Sequence, residues 1–220
     1  LRQIFETKKD GAQITPNIAK TIVSYRQYTD GHQTATAEEL EQYIVFHGTG
    51  SKAVLCLSIQ MYTGFRVSDL ATLGPQHRRK DKFRFRLFKN RNRTPVDIVA
   101  PIHPILLAVL DQHKPKGLTY LRTEFEKPFS GKGLGNRISD WFRQAGLPHL
   151  DSVRKGLATD QAHNEATDYM LEAMFGWKDA KTSKIYTRNA ERARLARQAV
   201  SKINWDGIGQ KLLAVGEGAE

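Results

Sequence analysis

The sequence predicts a mainly helical domain carrying one small antiparallel β-sheet (α+β). Apolar residues recur at helical spacing along most of the chain, whereas Phe83-Arg84-Phe85-Arg86-Leu87 alternates with period two. Val96-Asp97-Ile98-Val99 can pair with that stretch across a basic turn, which makes a β-hairpin studded with cations. With 220 residues and 40% apolar content, the chain can bury one sizeable core, or a core with a small appendage.

Leu1 to Glu6 reads as the end of a helix, and Gly11 to Arg26, with Thr15-Pro16-Asn17, as a linker. The chain opens without an initiator Met or signal peptide and reads as a piece of a longer protein. At Thr36-Ala37-Glu38-Glu39 the hydroxyl can cap the amide three residues on while Glu39 reaches back, so a helix is expected to Phe46, closed by Gly48. Val54, Leu57 and Met61 place a second helix over Lys52 to Tyr62. Val67, Leu70 and Ala71 resume the pattern after Thr63-Gly64, so two helices meet at Gly64. Beyond the hairpin, helices are expected over Pro104 to Gln112, over Leu134 to Ala145 with Ile138, Trp141 and Phe142 on one side, from Ser152 through Phe175, and from Lys181 to about Ile203. Gly131-Lys132-Gly133-Leu134-Gly135 reads as a loop entering a helix. Gly48 to Lys52 reads as a turn, since it lacks the spacing of a phosphate-binding loop. The tail from Ala214 to Glu220 is small, acidic and expected to fray.

Composition narrows the function. The 34 Lys and Arg outnumber 23 Asp and Glu, a formal charge of +11 that points to a polyanionic partner. The uncharged stretch nearest to a membrane span, Ile98 to Leu110, is interrupted by Pro101, His103 and Pro104 and falls short of the roughly 18 apolar residues needed. Cys56 stands alone, which excludes an intrachain disulfide and a Cys-based zinc cluster and best fits a reducing cytoplasm. The seven histidines show no metal-ligand spacing, so no metal is inferred.

Three segments carry the chemistry: Tyr62-Thr63-Gly64-Phe65-Arg66-Val67-Ser68-Asp69-Leu70, then Asp151-Ser152-Val153-Arg154-Lys155, then Phe175-Gly176-Trp177 followed nine residues later by Tyr186. Together they resemble the tyrosine recombinases, or phage integrases. In that family a TGxR segment supplies one arginine, an HxxR segment a histidine and a second arginine, and a GH or GW pair precedes a nucleophilic tyrosine by nine residues. The resemblance covers about Thr34 to Val200. It implies the family's catalytic-domain fold over residues 33–205, the end of a DNA core-binding domain plus linker over 1–32, and a C-terminal tail over 206–220. It also implies strand cleavage through a 3′-phosphotyrosine link with release of a 5′-hydroxyl. The bond energy is retained, so neither ATP nor another cofactor is called for.

The physical reading of each position stands beside the resemblance. Cleaving a phosphodiester means stabilising a pentacoordinate phosphorane, and the forked guanidiniums of Arg66 and Arg154 match phosphate oxygens bidentately. Arg66 begins a helix after Thr63-Gly64, where phosphate could also meet helix N-terminal amides. Tyr186 is the expected nucleophile, with Lys184 and Arg188 nearby to lower the cost of a phenolate that otherwise forms near pH 10. Trp177 replaces the commoner histidine; its indole N–H can bind a phosphate oxygen but cannot shuttle a proton. The family places a lysine on the turn of this hairpin, reaching toward the leaving 5′-oxygen, and Lys89 is the choice for that general acid. The plainer reading makes Lys89 to Arg93 a non-specific phosphate-binding loop.

Asp151 departs from the pattern, since HxxR calls for histidine there. A carboxylate about 4 Å from a phosphate charge is repelled by roughly 4 kcal/mol at an effective dielectric near 20. Three outcomes follow. Asp151, held by Arg154 or Lys155, accepts the Tyr186 proton; His149 folds in instead; or the site is impaired. Asp69 can either bridge to the Arg66 guanidinium or be a solvated surface carboxylate. Arg78, Arg79, Arg91, Arg93, Lys132, Arg137 and Lys155 are candidate contacts to duplex DNA phosphates, although the run His77 to Lys80 also reads as a solvated loop. The family assembles as synaptic tetramers, commonly exchanging a C-terminal helix, and Asn189 to Gly216 is the segment that could be exchanged here.

Overall fold

The computed structural model describes residues 35–89, 91–113, 117–147 and 153–204. Helix α1 (Ala37–His47) starts at the expected capping box: Glu39 N donates to Thr36 Oγ1 at 3.3 Å, and Thr36 N to Glu39 Oε2 at 2.9 Å. Gly48 closes it. The turn that follows ends at Ser51, whose Oγ accepts from Val54 N at 3.1 Å and so caps α2 (Lys52–Thr63). Helix α2 is buried on nearly every side, through Ala53, Val54, Leu55, Cys56, Leu57 and Ile59, and serves as the central rod of the domain. Gly64 ends it, and the single turn α3 (Val67–Leu70) follows.

The sheet is antiparallel in the order β1 (Arg78–Arg79), β2 (Lys82–Arg86), β3 (Asp97–Pro101). Phe83 pairs with Ala100 and Phe85 with Ile98, and all four face the core. There Phe65, from the link between α2 and α3, meets Phe85 with ring centroids 4.9 Å apart. The hairpin strands are as expected within two residues, but part of the basic run His77 to Lys80, read either as a DNA-contacting segment or as a solvated loop, supplies a third strand, since Arg78 and Arg79 pair with β2. A two-residue strand is too short to show a period of its own.

Helix α4 (Pro104–Gln112) is as predicted. Helix α5 (Gly131–Gln144) begins earlier than expected: the glycine-rich stretch read as a loop is its first turn. Ser130 Oγ caps that turn by accepting from Gly133 N at 3.0 Å, and the turn rests on Ser68 and Val67 at α3, so tertiary support overrides poor helix propensity. The helical stretch from Ser152 through Phe175 is two helices, α6 (Val153–His163) and α7 (Asp168–Phe175). The break holds Glu165 at a φ of 66°, and Thr167 Oγ1 accepts from Met170 N to start α7. Threonine before Asp168 is a helix-start signal that the apolar spacing on either side conceals. Helix α8 (Ala180–Val200) closes the described structure, capped by Asp179. No helix among the described residues is long and apolar enough to cross a membrane.

Buried side chains form two clusters. The larger unites α1 to α5 and the sheet; the smaller joins Ala158 and Ala162 of α6, Leu171 and Phe175 of α7, and Ala190 of α8. Two left-handed glycines let them meet. Gly64 has φ 62°, and a Cβ there would stand 2.2 Å from the Phe175 ring; Gly176, after α7, has φ 63°, and a Cβ would stand 2.4 Å from Leu87 Cδ1. Both close approaches need the absence of a side chain. Gly64→Ala is therefore expected to cost about 2–4 kcal/mol through positive-φ strain plus overpacking, read from the midpoint of urea unfolding. Gly50→Ala, with open space around it, stays within about 0.5 kcal/mol of wild type.

Candidate active site

The Thr63-Gly64-Phe65-Arg66 segment is shaped by local hydrogen bonds. Thr63 Oγ1 donates to Ile59 O at 2.6 Å and accepts from Phe65 N at 3.2 Å, so the last turn of α2 and the chain leaving it share one hydroxyl. Arg66 then occupies the N-cap of α3. Its amide donates to Asp69 Oδ2 at 3.2 Å, while the other oxygen of Asp69 accepts from Phe88 N at 2.7 Å. Asp69 is 0% exposed. It is thus not a solvated carboxylate, and the hydrogen bonds it accepts come from backbone amides rather than from the Arg66 guanidinium. A buried carboxylate is stable where it collects hydrogen bonds from amides, and these two tie the Arg66 turn to the residue preceding Lys89. The amide of Arg66 is thereby spent, and α3 is too short to offer the phosphate a helix N-terminus.

Arg154 comes from the first turn of α6. Its Nη1 donates to Gly64 O and its Nη2 to Phe175 O at 3.0 Å, so one guanidinium joins the C-terminal ends of α2 and α7. Its central carbon lies 4.8 Å from the Phe175 ring centroid and 5.5 Å from that of Trp177. Burial, and next the charge of Arg66, push the guanidinium down to about 10, with the Asp69 carboxylate and Tyr186 phenol opposing. It stays charged at neutral pH. A half-buried cation beside a second cation is a poised receptor for an anion.

Trp177 and Tyr186 continue the assembly. Phe175 stacks on Trp177 with centroids 4.7 Å apart and rings 14° from parallel, and Trp177 stacks on Tyr186 at 5.4 Å and 10°. The rotation of α8 that aims Tyr186 at this stack is set by two buried hydroxyls missed in the sequence. Ser183, 0% exposed, donates to Glu172 Oε1 at 3.0 Å, and Thr187, 2% exposed, donates to Asp168 Oδ1 at 2.7 Å. Their separation by four residues around Tyr186 is the signal that could have found them. Lys184 and Arg188 are exposed, and as neighbours two positions away on a helix they do not share the face of Tyr186.

An open cleft of about 250 Å³ gathers Arg66, Lys89 and Trp177, with Thr94, Lys178 and Thr182 completing its wall. Thr182 lies one helical turn before Tyr186 and on its face. The structure therefore brings five of the six expected catalytic residues into one neighbourhood: three on the cleft, and Arg154 and Tyr186 through the stack. Asp151 and His149 lie outside the described residues. Among the described residues, no group of three or more His, Cys, Asp or Glu side chains could hold a metal ion.

The expected DNA contacts differ in how free they are. Arg78 pairs with Asp111 at 2.6 Å, Arg137 with Glu124 at 2.6 Å, and Arg79 donates to Gln76 O at 2.8 Å. Arg91 lies over the Phe88 ring at 4.2 Å, Arg93 and Lys132 are exposed, and Lys155 is half-buried on α6. The outer face of the cation-bearing hairpin adds two exposed cations not put forward as DNA contacts from the sequence, Lys82 and Arg84, beside Arg86 paired with Asp97.

Residues 33–193 match the model of the phage integrase family. The chain belongs to the phage integrase family. Solved structures share its fold. The XerA recombinase is 15% identical, with 88% of this chain aligned to 70% of that one at a TM-score of 0.64. A lambda integrase tetramer bound to a Holliday junction is 19% identical, covering 76% of this chain and 53% of that one at 0.61. The Tn1549 transposon integrase, in complex with a circular intermediate DNA, is 14% identical, covering 77% and 67% at 0.57. A comparison with the curated proteins finds no match. At these identities the likeness is one of fold, so the mainly helical integrase architecture with its small three-stranded antiparallel sheet is the shared feature.

For this phage integrase domain, Asp69→Asn replaces one acceptor oxygen by a donor facing an amide. It is expected to cost about 1–3 kcal/mol in urea unfolding and to broaden the backbone amide signals of Arg66 and Phe88 in heteronuclear NMR. A variant with unchanged stability and sharp signals would remove Asp69 as the tie.

Proposed function

We propose that the chain is a site-specific DNA recombinase that cleaves and rejoins strands through a 3′-phosphotyrosine formed by Tyr186. Residues 33–205 act as its catalytic domain, 1–32 as the end of a core-binding domain with its linker, and 206–220 as a tail. The observation that carries the reading is the continuous column of Arg154, Trp177 and Tyr186 beside a cleft that also receives Arg66 and Lys89. In this mechanism a scissile phosphate enters the cleft, and Arg66 and Arg154 neutralise the charge that grows on its equatorial oxygens. Arg154 uses one N–H from each of two Nη nitrogens on carbonyls, which leaves part of its donor set for phosphate. The indole of Trp177 adds one N–H. Tyr186 oxygen attacks phosphorus as the phenol proton passes to solvent, the bond to the 5′-oxygen breaks, and Lys89 protonates that oxygen; religation is the reverse.

Duplex DNA is the partner supported by the +11 charge and by the exposed cations around the cleft. Assembly as a tetramer on two sites, with a reducing cytoplasm as the setting, belongs to the same proposal. A lambda integrase structure of related fold is a tetramer on a Holliday junction. A second reading, a DNA-binding descendant impaired in cleavage, is favoured by one feature, Asp151 where the family pattern has histidine.

A nicked suicide substrate separates the two. The enzyme leaves a covalent protein–DNA adduct that Tyr186→Phe abolishes while DNA affinity holds; absence of an adduct from the wild-type protein overturns the recombinase reading in favour of the second. Asp151→His is expected to raise the adduct rate at least ten-fold if the repulsion between carboxylate and phosphate is limiting. An unchanged rate shows that Asp151 is accommodated.

A further inference from the structure

We propose that Lys178 is a positioning residue for leaving-group protonation: its ammonium clasps the far end of the hairpin turn and holds Lys89 over the cleft. The inference rests on the reading of Lys89 as the general acid. Lys178 Nζ donates to Pro95 O at 3.2 Å, a bond between residues 83 apart in the chain. Among its described residues the turn it grips has few backbone hydrogen bonds of its own. Cross-strand pairing of the hairpin ends with Leu87 N donating to Val96 O at 2.9 Å. Between Phe88 and Pro95 the backbone bond among the described residues is Arg91 N to Phe88 O at 3.3 Å. Lys89 therefore sits on a span held from outside at its two ends, by Asp69 at Phe88 and by Lys178 at Pro95.

The chemistry of each anchor suits its place. Pro95 has no N–H, so its carbonyl is its backbone's sole hydrogen-bonding group. The segment bearing Lys178 is pressed against the hairpin by Gly176, whose missing Cβ admits Leu87, and Lys178 shares the cleft wall with Lys89 and Thr94. Asp69 ties the turn to the helix of Arg66; Lys178 ties it to the segment that runs into the helix of Tyr186. Acid and nucleophile are thus held in one mechanical unit. Because Lys178 is exposed, losing its bond leaves the fold intact and falls on the placement of Lys89.

In the cleavage step the Tyr186 phenol gives its proton to solvent as its oxygen bonds to phosphorus, the bond from phosphorus to the 5′-oxygen breaks with its electron pair going to that oxygen, and the Lys89 ammonium supplies the proton that this oxygen takes. A substrate with sulfur at the 5′-bridging position releases a thiolate, which needs no proton because thiols titrate near 8.5. The experiment is single-turnover cleavage of matched oxygen- and sulfur-bridged suicide duplexes by the full chain carrying Lys178→Met, Lys178→Arg, Lys89→Met, or Lys178→Met with Lys89→Met. Expected are roughly ten-fold slower cleavage of the oxygen substrate by Lys178→Met, wild-type rates on sulfur, and recovery of most of the loss by Lys178→Arg. The double variant should be no slower on oxygen than Lys89→Met alone. Slowing by Lys178→Met on both substrates, or on neither, overturns the clasp, as does a double variant slower than Lys89→Met. If the defect of Lys89→Met itself persists on sulfur, the assignment of the acid falls and the clasp falls with it; if sulfur rescues Lys89→Met but not Lys178→Met, the clasp alone fails.

Discussion

The site depends on one guanidinium joining two helix ends. Arg154 fills carbonyl acceptors at Gly64 and Phe175 that mark where α2 and α7 stop, and it lies against Phe175 and Trp177 while doing so. Helix C-termini carry unsatisfied carbonyls and a partial negative charge, so a buried cation there is held by hydrogen bonds and by the local field together. That is how a charge can sit in a half-buried position and stay ionised. The cost appears as a guanidinium pushed down to about 10, a tension that an anion placed beside it would relieve.

The approach of those helix ends is a steric matter. Gly64 and Gly176 both turn the chain in the left-handed region, and both lie where a Cβ would collide, with Phe175 and with Leu87 respectively. The glycines in the TGxR and GW segments thus do the same work. Each ends a helix and admits a neighbour, first α7 against α2 and then the hairpin against α7. Arg66, Lys89 and Trp177 share a cleft because these contacts are made in series. The buried carboxylate of Asp69 adds the remaining tie, from α3 to the hairpin, through amides alone.

Much of this was legible from residue order. The capping box at Thr36, the helix break at Gly64, the hairpin and the identities of Arg66, Lys89, Arg154, Trp177 and Tyr186 rest on local pattern and motif spacing, which survive without knowledge of the fold. The misreadings share a cause. The first turn of α5 is glycine-rich and is helical because Ser130 caps it and α3 supports it. The strand Arg78–Arg79 exists because β2 is beside it. Asp69 offered two local readings, and the structure chose a third, since Phe88 lies nineteen residues away in sequence and 2.7 Å away in space.

What the sequence determined by itself is which side chains carry the chemistry that the candidate site offers, because guanidinium, indole and phenol bring that chemistry wherever the chain puts them. What only the tertiary structure decided is how they are held: Arg154 spending donors on two carbonyls, Ser183 and Thr187 setting the rotation of α8, Asp69 and Lys178 gripping the two ends of the Lys89 turn. Ser183 and Thr187 reach carboxylates on α7, but the bonds of Arg154, Asp69 and Lys178 go to backbone groups that every residue carries. A backbone carbonyl or amide leaves no mark in an amino-acid sequence, so such an anchor becomes visible once the chain has closed around it.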